Sequence, residues 1–169
     1  ALCRIKEYHY GVHYVRLGLD VISTSVGIFL IECVRNAVQE REENAKLYQF
    51  LKERFLALDA AGQHVLTDFY LCFLVDLTTL LGFGPLPNYD LAKPCFHLLQ
   101  GRFTESHHDP ANLMGDGPSR ILFQILKGSR EEGLMGSRQD KEQLTDDLLR
   151  YYGCHLEGFR SIRSLEVLR

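Results

Sequence analysis

The stretch VLTDFYLCFLVDLTTLLGFGP, residues 65–85, decides how this chain is read. Leu66, Phe69, Leu71, Phe73, Leu74, Leu77, Leu80 and Leu81 cover nearly every side of a helix over residues 65–81, and a helix that is apolar all round has to be enclosed by others. Gly82 and Pro85 stop it. Glycine accepts the left-handed turn of a helix end, and proline cannot continue the ladder. The segment is therefore the central helix of a mainly α domain.

Working outward, the same period recurs on both sides. Upstream, Val26, Phe29, Leu30, Cys33, Val34 and Ala37 recur in steps of three and four, after the cap-type residues Ser23, Thr24 and Ser25. A second helix follows the charged turn EREEN, with Asn44 as its cap and Leu47, Phe50, Leu51, Phe55 and Leu58 as its apolar stripe. Downstream, residues 87–117 break the rhythm with prolines, histidines and the alternating CFHLLQGRF, which reads as a small β-hairpin-like insert. Helix resumes at Pro118 with Ile121, Leu122, Ile125 and Leu126, up to Gly128. GSREEGLMGS, 128–137, reads as a mobile loop. Ser137 with Asp140 forms a capping-box pattern for a fifth helix carrying Leu144, Leu148 and Tyr152, ending before Gly153. Ile162, Leu165, Val167 and Leu168 then mark a short sixth, amphipathic helix.

The first residues differ. Tyr8, Tyr10, Val12 and Tyr14 alternate with Glu7, His9, Gly11 and His13, a strand period with no second strand nearby to pair it. The expectation is that residues 1–16 are the end of a preceding β domain and that 17–169 form the helical one. At 169 residues, with 46% hydrophobic and 24% charged residues, the chain has the composition of one packed core. A net charge of −3 excludes a polybasic binder. No apolar run approaches the ~20 residues of a membrane span, and no signal-peptide pattern opens the chain. Cys3, Cys33, Cys72, Cys95 and Cys154 are scattered and odd in number, which suits reduced thiols in a cytoplasmic protein rather than disulfides.

Candidate chemistry is sparse. Cys154 and His155 are adjacent, so on regular backbone they point apart and cannot share a metal. His107, His108 and Asp109 offer ligand types without the spacing of a zinc site. Cys95 with His97 could be a nucleophile and its base, but nothing orients the base. GFGP and GDGP lack the Lys and Ser or Thr of a phosphate loop. The basic residues offer more. Arg4, Lys6 and Arg16 flank tyrosines, a combination that suits single-stranded nucleic acid through phosphate contact and stacking. Near the C-terminus Arg150, Arg160, Arg163 and Arg169 outnumber the acids, with Arg160 and Arg163 placed to share a helical face.

Four stretches carry a resemblance: IFLIECVRNAVQEREENAKLYQFLKERFLALD (28–59), FYLCFLVDLTTLLGFGPLP (69–87), FHLLQGRF (96–103) and YYGCHLEGFRSIRSLEVLR (151–169). In order and spacing the chain resembles the RecO family of bacterial recombination mediators, in the branch without zinc-binding cysteines. The resemblance implies a helical domain preceded by an OB-fold barrel, of which residues 1–16 would be the end. It further implies a non-enzymatic, cytoplasmic and nucleoid-associated DNA repair protein. Such mediators bind single-stranded DNA and the tail of single-stranded-DNA-binding protein, anneal strands, pair with RecR and help load RecA. Where many relatives carry four zinc cysteines in the insert, Cys95 stands alone, so neither zinc nor any other cofactor is expected. Where relatives of this branch have Phe-Asp-Leu, this chain has Phe96, His97 and Leu98. Cys154 and His155 match a position without a catalytic role and read as a hinge before a docking helix. A helical scaffold unrelated to DNA and a metal-dependent hydrolase are the alternatives.

The tail of single-stranded-DNA-binding protein is acidic and ends in apolar residues, so its receptor needs an apolar groove with a cationic rim. Ile162, Leu165 and Leu168 are the expected wall, and Arg150, Arg160 and Arg163 the expected rim.

Overall fold

The structure, a computed structural model, describes residues 7, 11–38, 43–105, 109–128 and 133–168. Six helices lie among them: α1 Val21–Ala37, α2 Ala45–Ala60, α3 Leu66–Leu80, α4 Asp116–Leu126, α5 Arg138–His155 and α6 Leu165–Leu168. Between α3 and α4 stands an antiparallel hairpin of β1 Cys95–His97 and β2 Arg102–Thr104, with Phe96 opposite Phe103. The expected fold class is thus what forms. Of the expected N-terminal strand, Tyr8 and Tyr10 lie outside the described residues, and Gly11–Val15 are not in a strand; none of the described residues pairs with them as a ladder requires.

α3 is the axis of the domain. Leu71, Phe73, Leu74, Val75 and Leu77 are all buried, and α1, α2, α4 and α5 pack around them. Its end is a Schellman motif: the Phe83 amide donates to the Thr78 carbonyl and the Gly82 amide to Thr79, with Gly82 at φ +88°. The hairpin turns at Gly101, also at positive φ, where a β-carbon would strike the Tyr151 hydroxyl at 2.9 Å.

Local chemistry sets the helix starts. Asn44 caps α2 by accepting from the Leu47 amide, and Ser137 with Asp140 forms the capping box of α5, both as the sequence suggests. α1 differs. Its cap is Asp20, whose carboxylate accepts from the Ser23 amide and hydroxyl, so Ser23–Ser25 lie inside the helix. α4 opens at Asp116, leaving Pro118 within the first turn. α5 runs through Gly153 to His155. The Cys154–His155 pair is therefore the last helical turn rather than a hinge, and the His155 ring holds it down by stacking on Phe83 at 5.5 Å and donating from Nε2 to the Leu98 carbonyl at 2.8 Å. The segment expected to be a mobile loop is docked over its described part: Leu134 is buried, its amide bonds Asp68, and Met135 exchanges two hydrogen bonds with Gln124.

Two carboxylates tie down the ends of the domain. Asp59 accepts the amides of Val15, Arg16 and Leu17 at 2.7–2.8 Å, and Glu32 accepts those of Arg163 and Ser164 together with the Ser164 hydroxyl. The Leu17 and Val15 amides hold the Asp59 carboxyl below the usual carboxylate range, and the Ser164 hydroxyl does the same for Glu32. A lowered folded-state value means the anchorage is complete above the ordinary carboxylate pKa, about 4, and is lost as pH falls through the lowered one. The Val15–Leu17 amides should therefore exchange faster in acid than the core amides of α3, and Asp59→Asn should produce the same local deprotection at neutral pH. Uniform exchange across both regions would contradict this.

Candidate binding groove and its arginine rim

α5 has two working faces. Leu144, Leu148, Tyr151 and Tyr152 point into the core, with the Tyr152 hydroxyl donating to the Leu74 carbonyl at 2.7 Å. Asp146, Leu149, Arg150 and Gly153, at helical spacings of three and four, form an outward stripe. After His155 the chain turns back through Gly158 and lays residues 159–165 along that stripe. Phe159 stacks on Tyr152 at 5.2 Å, Ile162 is buried to 8% exposure, and Glu32 clamps the next two amides. Between helix and returning segment lies an open groove of about 640 Å³, walled by Leu149, Phe159, Ile162 and Leu165, with Gly153 in its floor. Gly153 leaves that floor open, since a β-carbon there would meet nothing within 4 Å.

The predicted partner-site residues are distributed as follows. Arg150, Arg160, Ile162 and Leu165 do line one groove. Arg163 faces away from it, into a second hollow against α1, and Leu168 lines a third with His64, Tyr70 and Lys141. The expected helix over 162–168 is a single turn, Leu165–Leu168, so Arg160 and Arg163 share no helical face; both belong to the irregular segment before it. Arg150 is committed to the fold through Asp147 at 3.1 Å and the Ala111 carbonyl at 2.8 Å. Asp146 also lines the groove, so its cationic end is the Arg160 end.

Of the residues proposed from sequence for nucleic acid, Arg4 and Lys6 lie outside the described residues. Arg16 is half-buried, and its guanidinium donates to the Ala61 carbonyl at 2.6 Å, closing the end of α2. Arg169, His107 and His108 also lie outside the described residues.

The remaining candidates for chemistry resolve into packing. The Cys95 thiol donates to Asp116 at 3.2 Å, and burial followed by that acid pushes it up to about 11, far from a thiolate nucleophile at neutral pH. His97 is buried with Nε2 3.7 Å from Asp109. Among the described residues no three His, Cys, Asp or Glu converge as metal ligands would. Another hollow, between α2, α3 and Leu134, is walled by Val65, Phe69 and Cys72, but its charges are spoken for: Arg54 pairs with Asp76, and Asp68 with Lys141.

This helical frame and its terminal groove can be set beside known proteins. The model of the C-terminal domain of recombination protein O matches residues 18–166. The chain belongs to the RecO family. DNA repair protein RecO of Christiangramia forsetii is 33% identical over 168 residues, covering 97% of this chain and 68% of the relative. The RecO proteins of Flavobacterium psychrophilum and Phocaeicola vulgatus are each 27% identical, over 98% and 99% of this chain and 68% and 70% of their own lengths. No solved structure matches significantly. Membership supports a role in DNA repair and recombination, which makes the scaffold unrelated to DNA the weaker alternative. No helix among the described residues is long and apolar enough to cross a membrane.

Sequence reasoning missed Phe159, Leu149 and Gly153 in the groove. The signal was present in the stripe 146–149–150–153, which stays in phase only if α5 is allowed to continue through Gly153.

Proposed function

We propose that this domain works by binding rather than by catalysis, as the partner-docking part of a recombination mediator. In this reading the mediator binds single-stranded DNA and the tail of single-stranded-DNA-binding protein, anneals strands, and pairs with RecR to load RecA. Residues 1–16 would be the end of an OB-fold barrel. That role is carried out in the cytoplasm, at the nucleoid.

The observation that carries the reading is the apolar groove beside Arg160, a side chain with no carboxylate partner among the described residues. An acidic, apolar-ended tail would lay its last side chains against Leu149, Phe159 and Ile162 and its carboxylates toward Arg160. Burial supplies the hold and the guanidinium the steering.

Gly153 gives a test that spares the core. Gly153→Phe projects a ring into the groove from a position where the β-carbon meets no neighbour, and replacing a helical glycine by Phe should add roughly 0.5 kcal/mol of helix propensity. The expected result, in titrations of a labelled tail peptide, is an affinity loss of about tenfold or more, equivalent to roughly 1.4 kcal/mol, with the melting midpoint unchanged or higher. Undiminished peptide affinity in Gly153→Phe would place the tail elsewhere.

A further inference from the structure

On the other side of the 159–165 segment lies a hollow of different character. Glu32, Arg35 and Asn36 line it from α1, and Arg160, Ser161 and Arg163 from the returning segment, around an open space of about 780 Å³. Its only acid is occupied: one Glu32 oxygen accepts the Arg163 amide and the other the Ser164 amide and hydroxyl. Three guanidiniums face this one carboxylate; all are on exposed residues, none forms an ion pair among the described residues, and the charge of Arg163 helps keep Glu32 ionised. Three other arginines are ion-paired, Arg54 with Asp76, Arg138 with Glu142 and Arg150 with Asp147, while Arg16 and Arg102 donate to the Ala61 carbonyl and the Gln100 side chain. In a chain of net charge −3, three arginines around one ionised carboxylate leave this hollow locally cationic.

The chemistry of the hollow favours phosphate over an apolar-ended peptide. Guanidiniums present planar forks that bind phosphate oxygens in pairs, and Ser161 adds a hydroxyl donor. No large apolar side chain lines this hollow, in contrast to the groove. We infer that the hollow formed by Arg35, Arg160 and Arg163 is a subsite for the backbone phosphates of single-stranded DNA, so that the path of the strand crosses this helical domain. The inference rests on the DNA-binding part of the function proposed above. Arg160 and Ser161 border both depressions, Arg35 and Arg163 only this one, and Gly153 only the groove.

That division sets the experiment. The 169-residue chain and its Arg35→Glu, Arg160→Glu and Gly153→Phe variants are titrated with a fluorescent oligothymidylate, with the labelled tail peptide, and with polyaspartate matched in charge to the oligonucleotide. Arg35→Glu should weaken the oligonucleotide roughly fivefold or more and make its salt dependence shallower by about 0.7 per lost phosphate contact, leaving the peptide unaffected. Arg160→Glu should weaken both ligands, and Gly153→Phe the peptide alone. Arg35 is exposed and makes no ion pair among the described residues, so its variant should stay folded and melt only slightly below wild type, the reversed charge opposing the dipole in the last turn of α1. Oligonucleotide binding that is insensitive to Arg35→Glu in affinity and salt slope overturns the subsite while leaving DNA binding by the chain standing. No oligonucleotide binding by the unmutated chain overturns both. Polyaspartate bound as tightly, and lost equally in Arg35→Glu, overturns the assignment to phosphate in favour of an acidic protein.

Discussion

Truncating Phe73 to alanine is expected to destabilise the domain by about 3–5 kcal/mol, the range for a fully buried aromatic. Phe73 is 1% exposed at the middle of α3 and is held between Phe50 at 5.2 Å and the edge of Phe55 at 6.4 Å. Removing the ring leaves both aromatic partners of α2 facing a void. α3 cannot shift to fill it, because its other sides are packed by α1, α4 and α5 and the Tyr152 hydroxyl holds the Leu74 carbonyl. Chemical denaturation of the wild type and the variant would measure the difference. Phe69→Ala, on the same helix but only half-buried, should cost distinctly less. Equal midpoints for Phe73→Ala and the wild type would mean that the core lies elsewhere.

That axis was readable because burial on every side writes itself into composition: a helix surrounded by others has no polar face to confuse its period. Asn44 and the Ser137–Asp140 box were readable for a different reason, since a cap is satisfied within four residues of itself. The errors occur where distant residues decide. Gly153 reads as a stop, yet α5 continues because Phe83 and Leu98, more than fifty residues upstream, grip His155. A longer final helix reads plausibly from Ile162 onward, but Glu32 of α1 takes the amides of Arg163 and Ser164, and only one helical turn remains. The same contact explains what was legible of the candidate site. Ile162, Leu165 and Arg160 could be picked out as one apolar and cationic segment. The partners that divide it into a groove and a basic hollow, Leu149 with Gly153 on one side and Arg35 on the other, are assigned only by packing.

Arg150 shows why a charge read from sequence as a binding rim can belong to the fold, and its removal should have the second largest effect. The Asp147 side chain is 3% exposed, and burial holds its carboxyl above the usual range against the hydrogen bonds that pull it down. Arg150 supplies its paired charge at 3.1 Å and ties α5 to the Ala111 carbonyl with another donor. Arg150→Ala leaves a buried carboxylate without its counter-charge. Breaking such a pair costs about 3–5 kcal/mol when both partners are buried, and because Arg150 is itself half-exposed the expected loss at neutral pH is nearer 2–3 kcal/mol. The sign with pH follows from the raised carboxyl. The folded state binds that proton more tightly than the unfolded one, so protonation favours folding, and in the variant the bias grows. The gap in melting temperature between Arg150→Ala and wild type should therefore narrow from pH 7 toward about pH 4, where Asp147 can be neutral. Adding Asp147→Asn should recover much of the loss at pH 7, because an uncharged amide needs no counter-ion. A gap that is constant with pH and not relieved by Asp147→Asn would show that Arg150 acts through its packing and its Ala111 contact alone. Either way, weaker peptide binding by an Arg150 variant would report a loosened α5 before it reported a lost contact, which is why the groove is better probed at Gly153.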